Sequence, residues 1–208
     1  MSVARDNTRL TALVDLVFPL NGHSLPRESA PALRAALQRE MPWLDQEPLA
    51  GIHPLKLVPG NEAEALLSQR TRLLLRLPRE RMVAAIELAG RSLQVGGQTA
   101  TLGLPHPREL LPHHTLYAYA VAAEADDEIA FVQAMNDELQ TLQVRSQLVC
   151  GKRQQRDWPG GAQTTFSLML HGLSQADSLL LQEHGLGRHR LLGCGIFVPH
   201  KSAAAVGE

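Results

Sequence analysis

Ser174–Pro199 reads SQADSLLLQEHGLGRHRLLGCGIFVP, and the order of its parts decides the fold. Ser174 is a fitting N-cap for an amphipathic helix over 174–185, and Gly185 closes it. A glycine-rich stretch follows, GLGRHRLLGCG at 185–195, and the apolar end IFVP reads as strand. Nucleotide-binding glycine loops run strand, loop, helix, because the free N–H groups of a helix start hold the phosphates. Here the helix comes first, which argues against that reading. Two readings remain. In one, Gly185 caps the helix and Gly193 and Gly195 permit a bulge or close strand packing, which leaves Gly187 and the basic residues unexplained. In the other, Gly185, Gly187, Gly193 and Gly195 bring main-chain N–H groups up to a polyanion, and Arg188, His189 and Arg190 supply phosphate contacts.

Outward from this stretch, one pattern occurs twice. In the C-terminal half, TLYAYAVA (115–122) reads as strand and DEIAFVQAMNDELQTL (127–142) as helix; RSQLVCGK (145–152) and TTFSLMLHGL (164–173) are strands, then come the helix above and a last strand over 190–199. In the N-terminal half, RLTALVDLVFPL (9–20) is strand and SAPALRAALQREM (29–41) a helix with Pro31 in its first turn. GIHPLKLVP (51–59) and RTRLLLRLP (70–78) are strands, RERMVAAIELAG (79–90) a helix, and RSLQVGGQTATLG (91–103) a strand or short hairpin. The order βαββαβ, twice over, predicts an α+β protein of two tandem ferredoxin-like units at 1–103 and 115–200. Between them 104–114, rich in proline and histidine, reads as a linker, and 201–208 as a disordered tail.

The 208 residues carry a formal net charge of −1, so any nucleic-acid role must rest on local charge. That charge is uneven. From Arg145 to Lys201 basic residues outnumber acidic ones, while acids gather in EADDE at 124–128. Cys150 and Cys194 match no zinc spacing or disulfide framework, and there is no signal-peptide core or transmembrane run, so a cytoplasmic protein without membrane association is expected. Between two expected strands lies GKRQQRDWPGG (151–161), where Lys152, Arg153, Arg156 and Trp158 suit either a hairpin gripping an RNA stem or a solvated loop. His113 and His114 have no partner at metal-ligand spacing. Tyr117 and Tyr119 alternate on one strand face, as sheet packing or as a stacking platform.

The loop at 185–195 resembles the C-terminal glycine-rich loop of the RAMP superfamily, in which two Gly-hydrophobic-Gly pairs flank a basic segment. VDLVFPLNGHSLP (14–26), MPWL (41–44), GIHPL (51–55), RTRLLLRLP (70–78), LAGRSLQVGG (88–97) and GLSQADSLLLQEHGLG (172–187) resemble, more narrowly, the CRISPR repeat-processing endoribonucleases. That resemblance implies a cut in the precursor at or near a repeat hairpin, with neither metal nor cofactor. The 2′-OH attacks the neighbouring phosphate and leaves a cyclic phosphate and a 5′-OH. It also implies retention of the 3′ hairpin and partnership with other subunits of a multisubunit CRISPR effector complex.

One departure matters. Relatives carry an Asp-His-Gly-like run at the start of the first helix, its histidine serving in proton transfer; here Glu28, Ser29 and Ala30 stand there. His23, in the loop before the helix, is a substitute with a suitable ordinary pKa. Arg27 and Arg34 are candidates to stabilise the phosphorane charge. His53, between an apolar pair and Pro54, suits a structural role. The alternatives to a nuclease are a hairpin-binding subunit that cuts weakly or not at all, and a ferredoxin-like assembly or ligand-binding protein.

Overall fold

The computed structural model describes residues 11–200, so the tail expected at 201–208 and the first residues of the opening strand lie outside them. The N-terminal unit begins with β1 (Leu13–Gly22), β2 (Ser24–Pro26) and α1 (Ala30–Glu40). It continues through β3 (Gly51–Ile52), β4 (Val58–Pro59), β5 (Glu64–Leu66), β6 (Arg72–Pro78), α2 (Met82–Ile86) and the hairpin β7 (Ser92–Val95) and β8 (Gln98–Leu102). Its main sheet runs β3-β6-β1-β8-β7, the order expected when two helical crossovers return to one antiparallel sheet. Alternation sends Leu16, Phe18 and Leu20 of β1 into a core with Leu33 and Leu37 of α1 and with Leu73, Leu75 and Leu77 of β6.

After β9 (His106–Arg108), the second unit comprises β10 (Thr115–Ala122), α3 (Glu128–Thr141), β11 (Gln147–Trp158), β12 (Gly161–His171), α4 (Gln175–His184) and β13 (Val198–Pro199). Its sheet order, β11-β12-β10-β13, is the same arrangement with its own core around Leu116, Phe131, Phe166, Leu168 and Phe197. Asp127 caps α3 by accepting from the N–H groups of Ile129 and Ala130, and Ser174 caps α4 by accepting from that of Asp177. The protein thus has an α+β fold of two tandem ferredoxin-like units.

Several expected elements differ. The strand over 51–59 is two short pieces, parted after Ile52 where Pro54 lacks the N–H a ladder needs. The helix over 79–90 shrinks to a 3-10 turn (Arg79–Arg81) and α2; the Gly90 N–H bonds the Leu102 carbonyl, drawing the chain into the sheet. Part of the supposed linker is strand: β9 pairs with β1, placing Arg108 opposite Asp15. The strand over 190–199 is a 3-10 turn (Arg190–Leu192) followed only by β13, since His189, Gly193 and Gly195 have φ of 69°, 85° and 65° and cannot run extended. Conversely the basic stretch 151–161 is itself paired, out to Trp158 opposite Gly161. It forms a long arm rather than a loop.

Candidate functional site

β11 decides which basic residues share a face. Side chains alternate along a strand, so Lys152, Gln154 and Arg156 fall on one side and Arg153 on the other. The first set lines a groove of about 620 Å³, whose other walls are Arg27–Ala30 at the α1 start, Pro54–Leu57, Tyr117, Tyr119 and Ala120 of β10, and Leu192 and Gly193. Two irregularities aim these residues. Register shifts between Ala118 and Val121 of β10 and between Cys150 and Arg153 of β11 both lie opposite Ser167, whose hydroxyl accepts the Lys152 N–H at 2.8 Å. Bulges re-aim side chains in this way.

Among the described residues the groove's charge is positive: Arg27, Lys56, Lys152 and Arg156 against Glu28. Glu28 lies 3.7 Å from Arg156. Ser29 starts α1 with no side-chain capping bond, so the helix presents its partial positive end to the groove. Of the expected catalytic residues, only Arg27 lines it. His23 sits on the exposed turn between β1 and β2, and Arg34 is committed to Asp45, its Nη2 lying 3.1 Å from each carboxylate oxygen.

The other expected contacts are dispersed. Arg153 bonds Asp126, and that contact, with a bond from Thr164, holds the Asp126 carboxyl below its usual range. Arg188, 74 % exposed, pairs with Glu124. Trp158 is half-buried, its ring in a T-shaped contact with that of His189 at 5.2 Å. Partial burial, Arg188 and Arg34 lower the His189 pKa, leaving a neutral imidazole at neutral pH.

The glycine loop corrects the expectation most sharply. The amides of its four glycines are used inside the protein: Gly185 N–H bonds the Leu181 carbonyl, Gly187 N–H the Glu138 carboxylate, Gly193 N–H the Arg190 carbonyl and Gly195 N–H the Ala120 carbonyl. Its glycines serve close approach of the chain to itself. A Cβ on Gly185 would lie 2.2 Å from the Gly195 carbonyl oxygen, and one on Gly195 2.1 Å from that of Leu186. Arg190, read as a phosphate ligand, is 8 % exposed and donates from Nη2 to the carbonyls of Leu49 and Glu183, tying the loop to the N-terminal unit. Burial lowers its pKa to about 10, so it stays charged at neutral pH.

Sequence reasoning missed a second cluster. Asp15, 1 % exposed, accepts from Arg76 Nε at 2.7 Å and Arg108 Nη2 at 2.7 Å, with His53 Nε2 at 3.2 Å. Arg76 Nη1 also donates to the carbonyls of Gln182 and Phe197, so the cluster joins the two units. Burial alone would raise the Asp15 carboxyl; His53 and Arg76 outweigh it and hold it far below its ordinary range. Burial, aided by Arg76 and Arg108, lowers the His53 pKa against the pull of Asp15. A signal existed: Asp15 in LVDLVFPL and Arg76 in LLLRLP are lone charges inside apolar strands. Such charges need a buried partner.

The family model described as Cas6 Crispr matches residues 14–202. A CRISPR-associated endonuclease Cas6 from Myxococcus xanthus is 37 % identical over 198 residues, which cover 95 % of this chain and 86 % of that protein. Among solved structures, a CRISPR-associated protein Cas6 aligns with a TM-score of 0.65 at 10 % identity, over 91 % of this chain and all of that one. An RAMP protein binding different RNA substrates aligns at 0.62 and 10 % identity, over 88 % and 98 %. Thermus thermophilus Cse3, bound to an RNA representing a pre-cleavage complex, aligns at 0.52 and 13 % identity, over 90 % and 98 %. These structural likenesses bear on the fold.

Proposed function

This chain belongs to the Cas6 family, and from that premise we propose that it is an endoribonuclease that processes CRISPR repeat RNA in the groove between α1, Gly193 and the β11–β12 arm. The observation that carries the reading is the convergence of Arg27, from the loop before α1, with Lys152 and Arg156 of β11 around the uncapped start of α1. Attack by a 2′-OH on the adjacent phosphate needs no external nucleophile. It needs alignment of the attacking and leaving oxygens and positive charge around the pentacoordinate phosphate. The three cations and the helix start supply that charge. Among the described residues no histidine lines the groove, so water takes the 2′-OH proton and returns one to the leaving 5′ oxygen while the cations stabilise the phosphorane charge, and the cut is slow. The arm's basic face grips the repeat hairpin through its phosphates, and the 3′ hairpin stays bound as the chain joins a multisubunit CRISPR effector complex.

The position of His23 outside the groove favours a second reading, in which the chain holds the hairpin and cuts feebly or not at all. One assay separates the two. Labelled repeat RNA is incubated with the protein in EDTA. Nuclease activity gives a single cut whose 5′ fragment ends in a cyclic phosphate; a shifted but intact RNA supports the binding subunit; absence of any shift at low salt overturns both.

A further inference from the structure

The water that carries the 2′-OH proton has to pass one on, and the groove offers it a single destination. Arginine and lysine only donate, and the hydroxyls and amides of serine, tyrosine and glutamine do not take up a proton near neutral pH. Among the described residues lining the groove, that leaves the Glu28 carboxylate. Other acids around the α1 start are engaged: Glu64 accepts from Ser24 Oγ and Gln98 Nε2, each at 2.7 Å, and Asp45 from Arg34 and Gln38. Glu28 is 46 % exposed and stands 3.7 Å from Arg156, its ion-pair neighbour among the described residues. That separation is too long for a direct hydrogen bond and leaves the carboxylate oxygens open to water. Arg156 is one of the groove's cations, so a phosphate on its guanidinium brings the adjoining ribose to within about one water of Glu28.

We infer that Glu28 accepts, through that water, the proton of the attacking 2′-OH. The inference rests on the proposed nuclease reading. As the 2′ O–H bond breaks, its proton passes to the water, and the water gives one of its own to the carboxylate. The electron pair left on the 2′ oxygen forms the bond to phosphorus. The bond from phosphorus to the 5′ oxygen then breaks with its electron pair, and a second water protonates that oxygen. The hydroxide left behind takes the proton from Glu28, so the site returns to its starting charge. Because Glu28 acts through water, it is a positioning residue, and Arg27, Lys152 and Arg156 keep the task of holding the phosphorane charge.

The test measures the cut of labelled repeat RNA in EDTA with protein in excess, so that every RNA is bound and the rate reads the chemical step. Glu28→Gln should cut about a hundredfold more slowly than wild type. Its hairpin affinity should stay within about threefold and lean towards tighter binding, since a negative charge leaves the groove. Glu28→Asp should recover about tenfold of the lost rate, because a water spans the missing methylene. Formate should speed Glu28→Ala about tenfold over chloride at equal ionic strength and leave the wild type unchanged. Melting temperatures should match throughout. A Glu28→Gln variant that cuts as fast as wild type would overturn the inference alone. So would a rate that falls in step with affinity or melting temperature, or a loss that neither Glu28→Asp nor formate mends. A wild type that shifts the RNA and leaves it intact would overturn the nuclease reading, and this inference with it.

Discussion

The glycine loop and the β11–β12 arm are both basic and both lie in the second unit, yet they spend their polar groups in opposite ways. In the loop, the Gly185, Gly187, Gly193 and Gly195 amides and Nη2 of Arg190 are bonded within the protein, and the rest of that guanidinium is buried. In the arm, the backbone pairs with itself and leaves Lys152 and Arg156 to line the groove. The loop therefore shapes the site, and the arm carries its charge. Glycine beside arginine marks close chain approach as readily as it marks ligand binding; only the partners of each amide distinguish the two.

The sharpest way to break this contrast is Gly195→Val. Its Cβ would sit 2.1 Å from the Leu186 carbonyl oxygen at a φ of 65°, so a loss above about 4 kcal/mol, and failure to fold, is expected. A variant that melts like wild type but no longer binds RNA would return the loop to direct contact. Next comes Arg190→Ala, expected to cost about 3 kcal/mol by removing a buried side chain and two carbonyl bonds, whereas Arg188→Ala should stay within about 0.5 kcal/mol. Equal melting temperatures for these two variants would contradict the division drawn here.

Cleavage probes the arm's side of the groove. Arg27→Ala should slow the cut about a hundredfold, and His23→Ala should change it less than about threefold. The reverse ranking would make His23 the proton carrier. Replacing Lys152 and Arg156 together by alanine should weaken RNA binding about tenfold and lower the salt slope by about one unit per lost phosphate contact, at an unchanged melting temperature. An unaltered slope would put both side chains in bulk water.

The smallest effect concerns pH. The His53 pKa lies below its ordinary 6.5 in the folded protein, so below pH 6.5 the unfolded chain binds the extra proton first and stability falls as pH falls. The slope reaches at most about 1.4 kcal/mol per pH unit while His53 stays neutral in the fold. Asp15, with its lowered pKa, adds a further loss once pH drops below about 3.8. His53→Gln should flatten the first segment and keep the second; chemical denaturation measured from pH 7.5 to 3 checks it. An unchanged profile would remove His53 from the acid response.

Much of the fold was legible because its signals are local. Alternation in TLYAYAVA, Ser174 and Gly185 at the ends of a helix, and glycines between the runs of RSLQVGGQTATLG report backbone geometry within a few residues. The strand over 190–199 was misread because its apolar residues suit a strand, while its glycines hold φ values that forbid one. At the site, the arm was visible as a basic run, but period-two alternation splits that run: Lys152 and Arg156 reach the groove and Arg153 turns to Asp126. Lys56 carried no signal at all, since nothing near it in the chain names Tyr119 or the groove they share.

By itself, then, the sequence determined the two βαββαβ units, the resemblance to CRISPR repeat-processing endoribonucleases and the uneven charge, all of which depend on residue type and short spacing. Tertiary structure alone decided that Gly185 faces Gly195, that Arg190 reaches back to Leu49, and that Asp15, His53, Arg76 and Arg108 meet in one cluster. Those pairings join residues distant in the chain. Whether an arginine meets carbonyl oxygens or water is set by whichever segments fold around it, and short-range pattern holds no record of that.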